Sequence, residues 1–209
     1  MSRPTLATIA KAPVAGRVKT RLCPPCTPRQ AADLAEAALR DTLDAMAGVV
    51  DADRAIILDG TPGPWADGGE RIVAQRGDGL DVRLAAAFED LGPGPTLILG
   101  MDTPQVTPGM LRRALAALDH HDAVLGPATD GGYWCIGLRR PDPRTLIGVP
   151  MSVDHTLDAQ RRRLDQLGLL TAEVDELVDV DTFADAEHVA ALAPATRFAT
   201  AVAQLRVLA

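Results

Sequence analysis

"TLILGMDTP", Thr96 to Pro104, decides how this chain of 209 residues is to be read. The stretch is apolar throughout until it ends in a carboxylate, Asp102. Continuous apolar runs of this length describe strands buried on both faces, and such strands belong to mainly parallel sheets covered by helices. A carboxylate at the end of a buried strand is costly unless it is solvated, paired or holding a metal.

Working outward, the same kind of strand is expected at Thr5 to Ala10 and at 54–58, 71–75, 122–128 and 133–138. Helical patterns lie between them. Thr27-Pro28 offers an N-cap with proline at the first helical position, opening a helix that closes near Gly48. Further helices are predicted over 81–91, 107–118 and 153–168, with a final helix or tail over 197–208. "LVDVDTFADAEHVAAL" (177–192) reads as a short strand turning into a helix. No repeat and no linker interrupts this alternation. The expectation is one α/β domain over residues 1–209, with a mainly parallel sheet of six or seven strands, helices on both faces and the first strand central. Ligands of such sheets bind at the carboxyl ends of the strands.

Composition bounds the function. A hydrophobic share of 47% and a charged share of 23% describe a globular chain. The net charge of −7 excludes a non-specific nucleic-acid binder. No apolar run reaches the roughly 20 residues that span a bilayer. The N-terminal apolar stretch, closed by Lys11, reads as a first strand and not as a signal-peptide core, so a cytoplasmic location is expected. Three cysteines are present. Cys23 and Cys26 form a "CPPC" pair, but a zinc site needs about four ligands and no second half-site exists, so a structural role is expected.

The chain contains only two lysines, Lys11 and Lys19, and both fall in "KAPVAGRVKTRL" directly after the first strand. With Arg17 and Arg21 they make four positive charges within eleven residues, around Pro13 and Gly16. A loop at a strand end can present backbone N–H groups to phosphate oxygens, and Gly16 allows close approach. Lysine adds a compact point charge where arginine adds a planar fork. The loop is not a Walker A motif, because Arg17 and Val18 separate Gly16 from Lys19.

Carboxylates complete the pattern. Mg²⁺ typically takes one or two carboxylates plus substrate phosphates. Asp102 is one candidate. Asp179 and Asp181, spaced by two, would share one face of a strand, or serve to cap the helix beginning near Thr182. "GPATDGGYWCIGL" sets Asp130, Gly131 and Gly132 between two strands, and a plain hairpin does not need the second glycine.

Together, "KAPVAGRVKTRL", "QRGDGLDVRLAAAF", "LGMDTP", "GPATDGGYWCIGL" and "DVDT" resemble the bacterial rSAM/selenodomain-associated transferases, a family also labelled arsenosugar-biosynthesis-type glycosyltransferases. The resemblance covers residues 4 to 195. It implies the GT-A, nucleotide-diphospho-sugar transferase fold. It also implies that Lys11, Lys19 and Arg21 act on phosphates and that Asp102 and Asp181 hold Mg²⁺ or Mn²⁺. Gln75 and Arg83 match a nucleotide-binding segment, although Asp81 and Val82 stand where that segment has Gly-Glu. "MSVDHT" (Met151 to Thr156) departs from the family's Trp-Ser, which implies a different acceptor. The expected nucleotide site comprises Ala10, Pro13, Gly16, Gln75, Gly77, Arg83, Asp130, Gly131 and Gly132.

Two reactions share such a site. In nucleotidyl transfer an acceptor oxygen attacks the α-phosphorus of an NTP and pyrophosphate leaves. In glycosyl transfer the sugar C1 is attacked and an NDP leaves, with a metal usually on a D-x-D pair. Here a single aspartate precedes Thr103-Pro104, and the first loop is strongly cationic. Both features favour nucleotidyl transfer to a small phosphorylated or sugar-like acceptor, with an NDP-sugar glycosyltransferase as the alternative and a non-catalytic nucleotide binder more remote. The partners are a nucleotide and a small molecule, with no nucleic acid and no membrane. The oligomeric state stays open, a homodimer included.

Overall fold

A computed structural model describes residues 3–207. Seven strands form one sheet: β1 (Thr5–Lys11), β2 (Asp53–Asp59), β3 (Arg71–Ala74), β4 (Thr96–Gly100), β5 (Ala123–Pro127), β6 (Tyr133–Leu138) and β7 (Thr171–Glu173). Their order is β3-β2-β1-β4-β6-β5-β7. Every pairing is parallel except those of β6, which runs antiparallel to β4 and β5. The expected mainly parallel sheet is therefore present, with β1 near its middle. The direction of winding reverses between β1 and β4, which opens a crevice at their carboxyl ends.

Two-residue periodicity distributes the strand side chains over two cores. Leu6, Ile56, Leu58, Leu97, Leu99 and Val124 face α1 (Pro28–Ala47) and α3 (Pro108–Ala117). Ala7, Ile57, Ile98, Leu125 and Ile136 face α2 (Leu80–Leu91) and α4 (Thr156–Gln166). Because both faces are covered, the strands carry apolar residues without alternation.

The helix α1 is buried on two sides. One side meets the sheet, while Ala31, Leu34 and Ala38 meet α5 (Phe183–Leu192), α6 (Arg197–Val207) and the side chains of Leu22 and Cys26. Its start is fixed locally. Thr27 Oγ1 accepts from Gln30 N at 3.3 Å, and Gln30 Oε1 accepts from Thr27 N at 2.8 Å. This reciprocal cap satisfies two N–H groups that the first turn leaves free, with Pro28 at the first position. The start of α6 is capped from a distance: Asp41, on α1, accepts from Arg197 N at 3.0 Å and from Phe198 N at 2.8 Å.

Some expectations need correction. Residues 177–181 are not a strand. They meet β5's end only through an isolated bridge from Ala128 to Leu177. Asp179 and Asp181 consequently do not share a strand face. The seventh strand lies earlier, at Thr171–Glu173, and its polar composition hid it. The helix expected over 153–168 begins at Thr156, because residues 151–155 make a tight turn in which Ser152 adopts a left-handed backbone (φ 59°). The strand expected to reach Gln75 stops at Ala74, and β1 runs on to Lys11.

Candidate active site

The crevice between β1 and β4 continues over the start of β6 as one cleft of about 730 Å³. Its floor is the sheet edge. Its rim is built from four segments that are distant in sequence.

The first segment follows β1. After Lys11 the chain bends through Val14–Arg17, closed by Arg17 N donating to Val14 O at 2.9 Å, with Gly16 at φ +77°. Val18 and Leu22 are buried and anchor the segment. Between them Lys19 takes a left-handed backbone (φ 49°, ψ 38°) and precedes a 3₁₀ turn, Thr20–Leu22. Alternate anchoring of Val18 and Leu22 leaves Arg17, Lys19 and Arg21 on the cleft, together with Lys11. The four cations grouped by sequence are thus on one wall.

The second segment is the end of β4. Asp102 lies two residues past Gly100, and its O accepts from Val180 N at 2.9 Å. This single backbone bond brings the third segment, 177–181, beside Asp102. Trp134 Nε1, donating to Asp175 O at 2.9 Å, and Gln105 Nε2, donating to Val178 O at 2.7 Å, hold that segment down. Asp179 and Asp181 therefore flank Asp102 from across the fold.

The two late aspartates are not equivalent. Asp181 is about half exposed and pairs with Arg21 at 2.5 Å. Asp179 points inward. Burial pushes its carboxyl up to about 7, the neighbouring Asp102 and Asp130 carboxylates add to the shift, and Lys19 works against it. Lys19 Nζ lies 2.7 Å from Asp102 Oδ1 and also donates to Val180 O. One ammonium thus faces a surplus of carboxylate.

That surplus is the test of whether a divalent cation fits here. A partly buried carboxylate crowded by others is relieved by added positive charge, and hard oxygen donors suit Mg²⁺ or Mn²⁺. The donor chemistry fits, with Asp102 and Asp179 the carboxylates such an ion would meet and Asp181 engaged by Arg21. Among the described residues no group of three or more histidine, cysteine, aspartate or glutamate side chains is arranged to hold a metal, these aspartates included. Cys23, Cys26 and Cys135 are free thiols. Cys26 is buried, and burial, followed by the nearby Cys23, pushes its thiol up, which disfavours the reactive thiolate.

The fourth segment joins the β5–β6 turn to the residues before α4. Asp130 Oδ1 accepts from Gly132 N at 2.8 Å, and Leu157 N donates to Gly131 O at 2.8 Å. Gly131 has φ +87°, and a Cβ there would lie 1.9 Å from Asp154 O, so only glycine admits this contact. Met151, Ser152, Asp154 and Thr156 line the cleft from this side.

Of the expected site residues, Ala10, Lys11, Lys19, Arg21, Gln75, Asp102, Asp130, Gly132 and Asp181 line the cleft. Pro13, Gly16, Gly77, Arg83 and Gly131 do not. Pro13 and Gly16 belong to the outer bend. Gly131 faces the Asp154 backbone. Arg83 sits behind Gln75: its Nε donates to Gly77 O at 3.1 Å and its guanidinium reaches Gln75 Oε1 at 3.4 Å. Gln75 Nε2 donates to Ala10 O at 2.8 Å and Ile57 O at 3.0 Å, tying β1 to β2 beneath the site. Ser152 and Asp154 fall within "MSVDHT", the segment whose departure from the family pattern implies a different acceptor, although neither is an expected site residue; both line the cleft. A second cavity, of about 400 Å³, lies between α2 and the segment after β6. Its one arginine, Arg76, is held by Glu89 and Asp90.

No helix among the described residues is long and apolar enough to cross a membrane. The comparisons agree with this architecture. A protein of Desulfovibrio desulfuricans G20, provisionally named a nucleotide-diphospho-sugar transferase, is 27% identical, with a TM-score of 0.87 over 99% of this chain and 95% of that one. CMP:2-keto-3-deoxy-manno-octonic acid synthetase complexed with CTP superposes with a TM-score of 0.60 at 15% identity, over 91% of this chain and 98% of that one. Glucosyl-3-phosphoglycerate synthase of Mycobacterium tuberculosis, in complex with Mn²⁺, UDP and glucosyl-3-phosphoglycerate, gives 0.54 at 12% identity, over 84% of this chain and 70% of that one. The latter two likenesses are of fold alone, and the fold is that of the nucleotide-diphospho-sugar transferases. Among curated proteins no sequence matches. A family model matches residues 30–153, more than half of the chain, and this chain belongs to that family, described as an uncharacterized protein conserved in bacteria (DUF2064).

Proposed function

We propose that this protein is a metal-dependent nucleotidyltransferase, moving a nucleotidyl group from an NTP to a small-molecule acceptor with release of pyrophosphate. The observation that carries the reading is the division of the cleft. Lys11, Arg17, Lys19 and Arg21 line one side, and Asp102 and Asp179 lie at its base. A triphosphate needs both: cations for its oxygens and carboxylates for the accompanying Mg²⁺ or Mn²⁺.

In this reading Lys11 and Arg17 bind the outer phosphates, while Lys19 and Arg21 leave their carboxylate partners to meet the charge that grows on the departing pyrophosphate. Donors aimed at developing charge in a sheltered site act mainly on the transition state. Gln75 holds the ends of β1 and β2 together, so the platform under the nucleotide stays fixed. The cation, when bound by Asp102 and Asp179, supplies neutralisation of phosphate charge. The acceptor oxygen bonds to the α-phosphorus as the bond from that phosphorus to the bridging oxygen breaks, and pyrophosphate leaves with the electron pair.

A second reading is glycosyl transfer from an NDP-sugar. It is favoured by the 27% identical relative named as a nucleotide-diphospho-sugar transferase. Against it stands the single aspartate of "GMDTP" in place of a D-x-D pair. Incubation with Mg²⁺ and each NTP or NDP-sugar, with cell extract supplying acceptors, separates them: pyrophosphate appears in the first reading and NDP in the second.

A further inference from the structure

The cleft is electrically divided along its length. All its lysines and arginines come from the end of β1 and the segment that follows it. The opposite wall, formed by the β5–β6 turn, the start of β6 and residues 151–156, contributes Asp130 and Asp154 and no lysine or arginine among the described residues. Its other lining polar groups are Tyr133, Ser152 and Thr156, and the exposed Asp154 carboxylate is met at 2.9 Å by Nδ1 of its neighbour His155. This wall is also firmly built. Leu157 N bonds to Gly131 O, Thr156 Oγ1 donates to Val153 O at 2.8 Å and accepts from Val153 N at 3.2 Å, and the Gly131 backbone packs directly on that of Asp154.

The nucleotide's phosphates belong with the cations, so this second wall is left to the acceptor. A phosphate or carboxylate group placed there would meet two carboxylates and no lysine or arginine, and like-charge juxtaposition is an effective device for rejecting a partner. Hydroxyl groups are the complement: an ionised carboxylate accepts hydrogen bonds and offers none.

We infer that the acceptor is a polyhydroxylated molecule without anionic groups, that its nucleophile is a hydroxyl, and that Asp130 and Asp154 are specificity residues for it. The inference rests on the nucleotidyl-transfer reading above and narrows it. The hydroxyl oxygen bonds to the α-phosphorus, pyrophosphate leaves with the electrons of the broken P–O bond, and the hydroxyl proton is lost to solvent. The product is a phosphodiester. An acceptor attacking through a phosphate would instead give a diphosphate linkage.

The test uses an NTP labelled at the α-phosphate, Mg²⁺, and bacterial metabolites divided on an anion exchanger into flow-through and retained fractions. Label is expected to transfer with the flow-through and to survive prior treatment of that fraction with phosphatase. The Asp154→Asn variant is expected to lower kcat/KM for the flow-through acceptor at least tenfold, through KM, with nucleotide affinity measured by calorimetry changed less than twofold. In Asp154→Lys the retained fraction is expected to gain activity. Transfer confined to the retained fraction, or abolished by phosphatase, overturns the inference and leaves nucleotidyl transfer standing. An Asp154→Asn variant with unchanged KM overturns it too. Nucleotide binding without label transfer to any fraction removes the nucleotidyl-transfer reading and this inference with it.

Discussion

Lys19 Nζ lies 2.7 Å from Asp102 Oδ1, so one of the chain's two lysines is engaged by the carboxylate that ends the central strand. Lys19 also donates to Val180 O, and its side chain is only 11% exposed. The ammonium therefore occupies ground that the proposed divalent cation would need. Lys19→Met is expected to raise the affinity of the nucleotide-free protein for Mn²⁺ several-fold, read by electron paramagnetic resonance of free Mn²⁺. The same variant is expected to lose about 10²–10³ in turnover, the usual scale for one donor aimed at developing charge. Unchanged Mn²⁺ affinity would mean that the ammonium and the metal do not compete.

Lys19→Arg separates charge from shape. Arginine keeps the charge and replaces a point donor with a planar fork. Turnover is expected to fall while the melting temperature holds. Arg140, which does not line the cleft, is the control, and Arg140→Lys is expected to be silent in both measurements. Equal behaviour of the two variants would make the lysine an accident of composition.

Gly131→Ala tests the second wall. The left-handed backbone and the 1.9 Å approach to Asp154 O leave no room for a methyl group. The cost is expected to exceed about 2 kcal/mol, combining backbone strain with displacement of residues 151–156. Thermal unfolding measures the first. A larger effect on acceptor-dependent turnover than on nucleotide affinity would locate the damage on the acceptor side.

Asp41 caps α6 from α1, and its side chain is 9% exposed. Asp41→Ala leaves Arg197 N and Phe198 N without their acceptor and is expected to cost about 1–2 kcal/mol in urea unfolding. Burial raises the Asp41 carboxyl above its ordinary value, partly offset by those two N–H groups. A raised folded-state pKa contributes stability that is fully present below the unfolded-state value and is lost as pH rises through the folded-state value. The stability advantage of the native chain over Asp41→Asn is therefore expected to be larger near pH 3 than at pH 7. An advantage that grows with pH would contradict this sign.

The parts of this structure that were legible in the sequence have local causes. Thr27, Pro28 and Gln30 mark the start of α1 within four residues, and the apolar run of β4 follows from burial on both faces. The clustering of Lys11, Arg17, Lys19 and Arg21 on one wall also follows from one short segment. What stayed hidden depends on contacts between distant segments. The inward placement of Asp179, with Asp181 turned to Arg21, hangs on the bond from Val180 N to Asp102 O, across 78 residues of chain. The resemblance implies Arg83 as a nucleotide ligand; its guanidinium lies outside the cleft and reaches Gln75 Oε1, a placement visible only once α2 is packed. β7 is a three-residue strand of polar composition at the sheet's edge, too short and too hydrophilic to announce itself.

The most direct test of the central claim is the identity of the small product released from the donor. Purified protein with Mg²⁺, each NTP in turn and a metabolite extract is expected to release pyrophosphate at a rate that Asp102→Asn abolishes without loss of fold by circular dichroism. NDP release from an NDP-sugar, with no pyrophosphate from any NTP, would contradict nucleotidyl transfer and assign the cleft to glycosyl transfer.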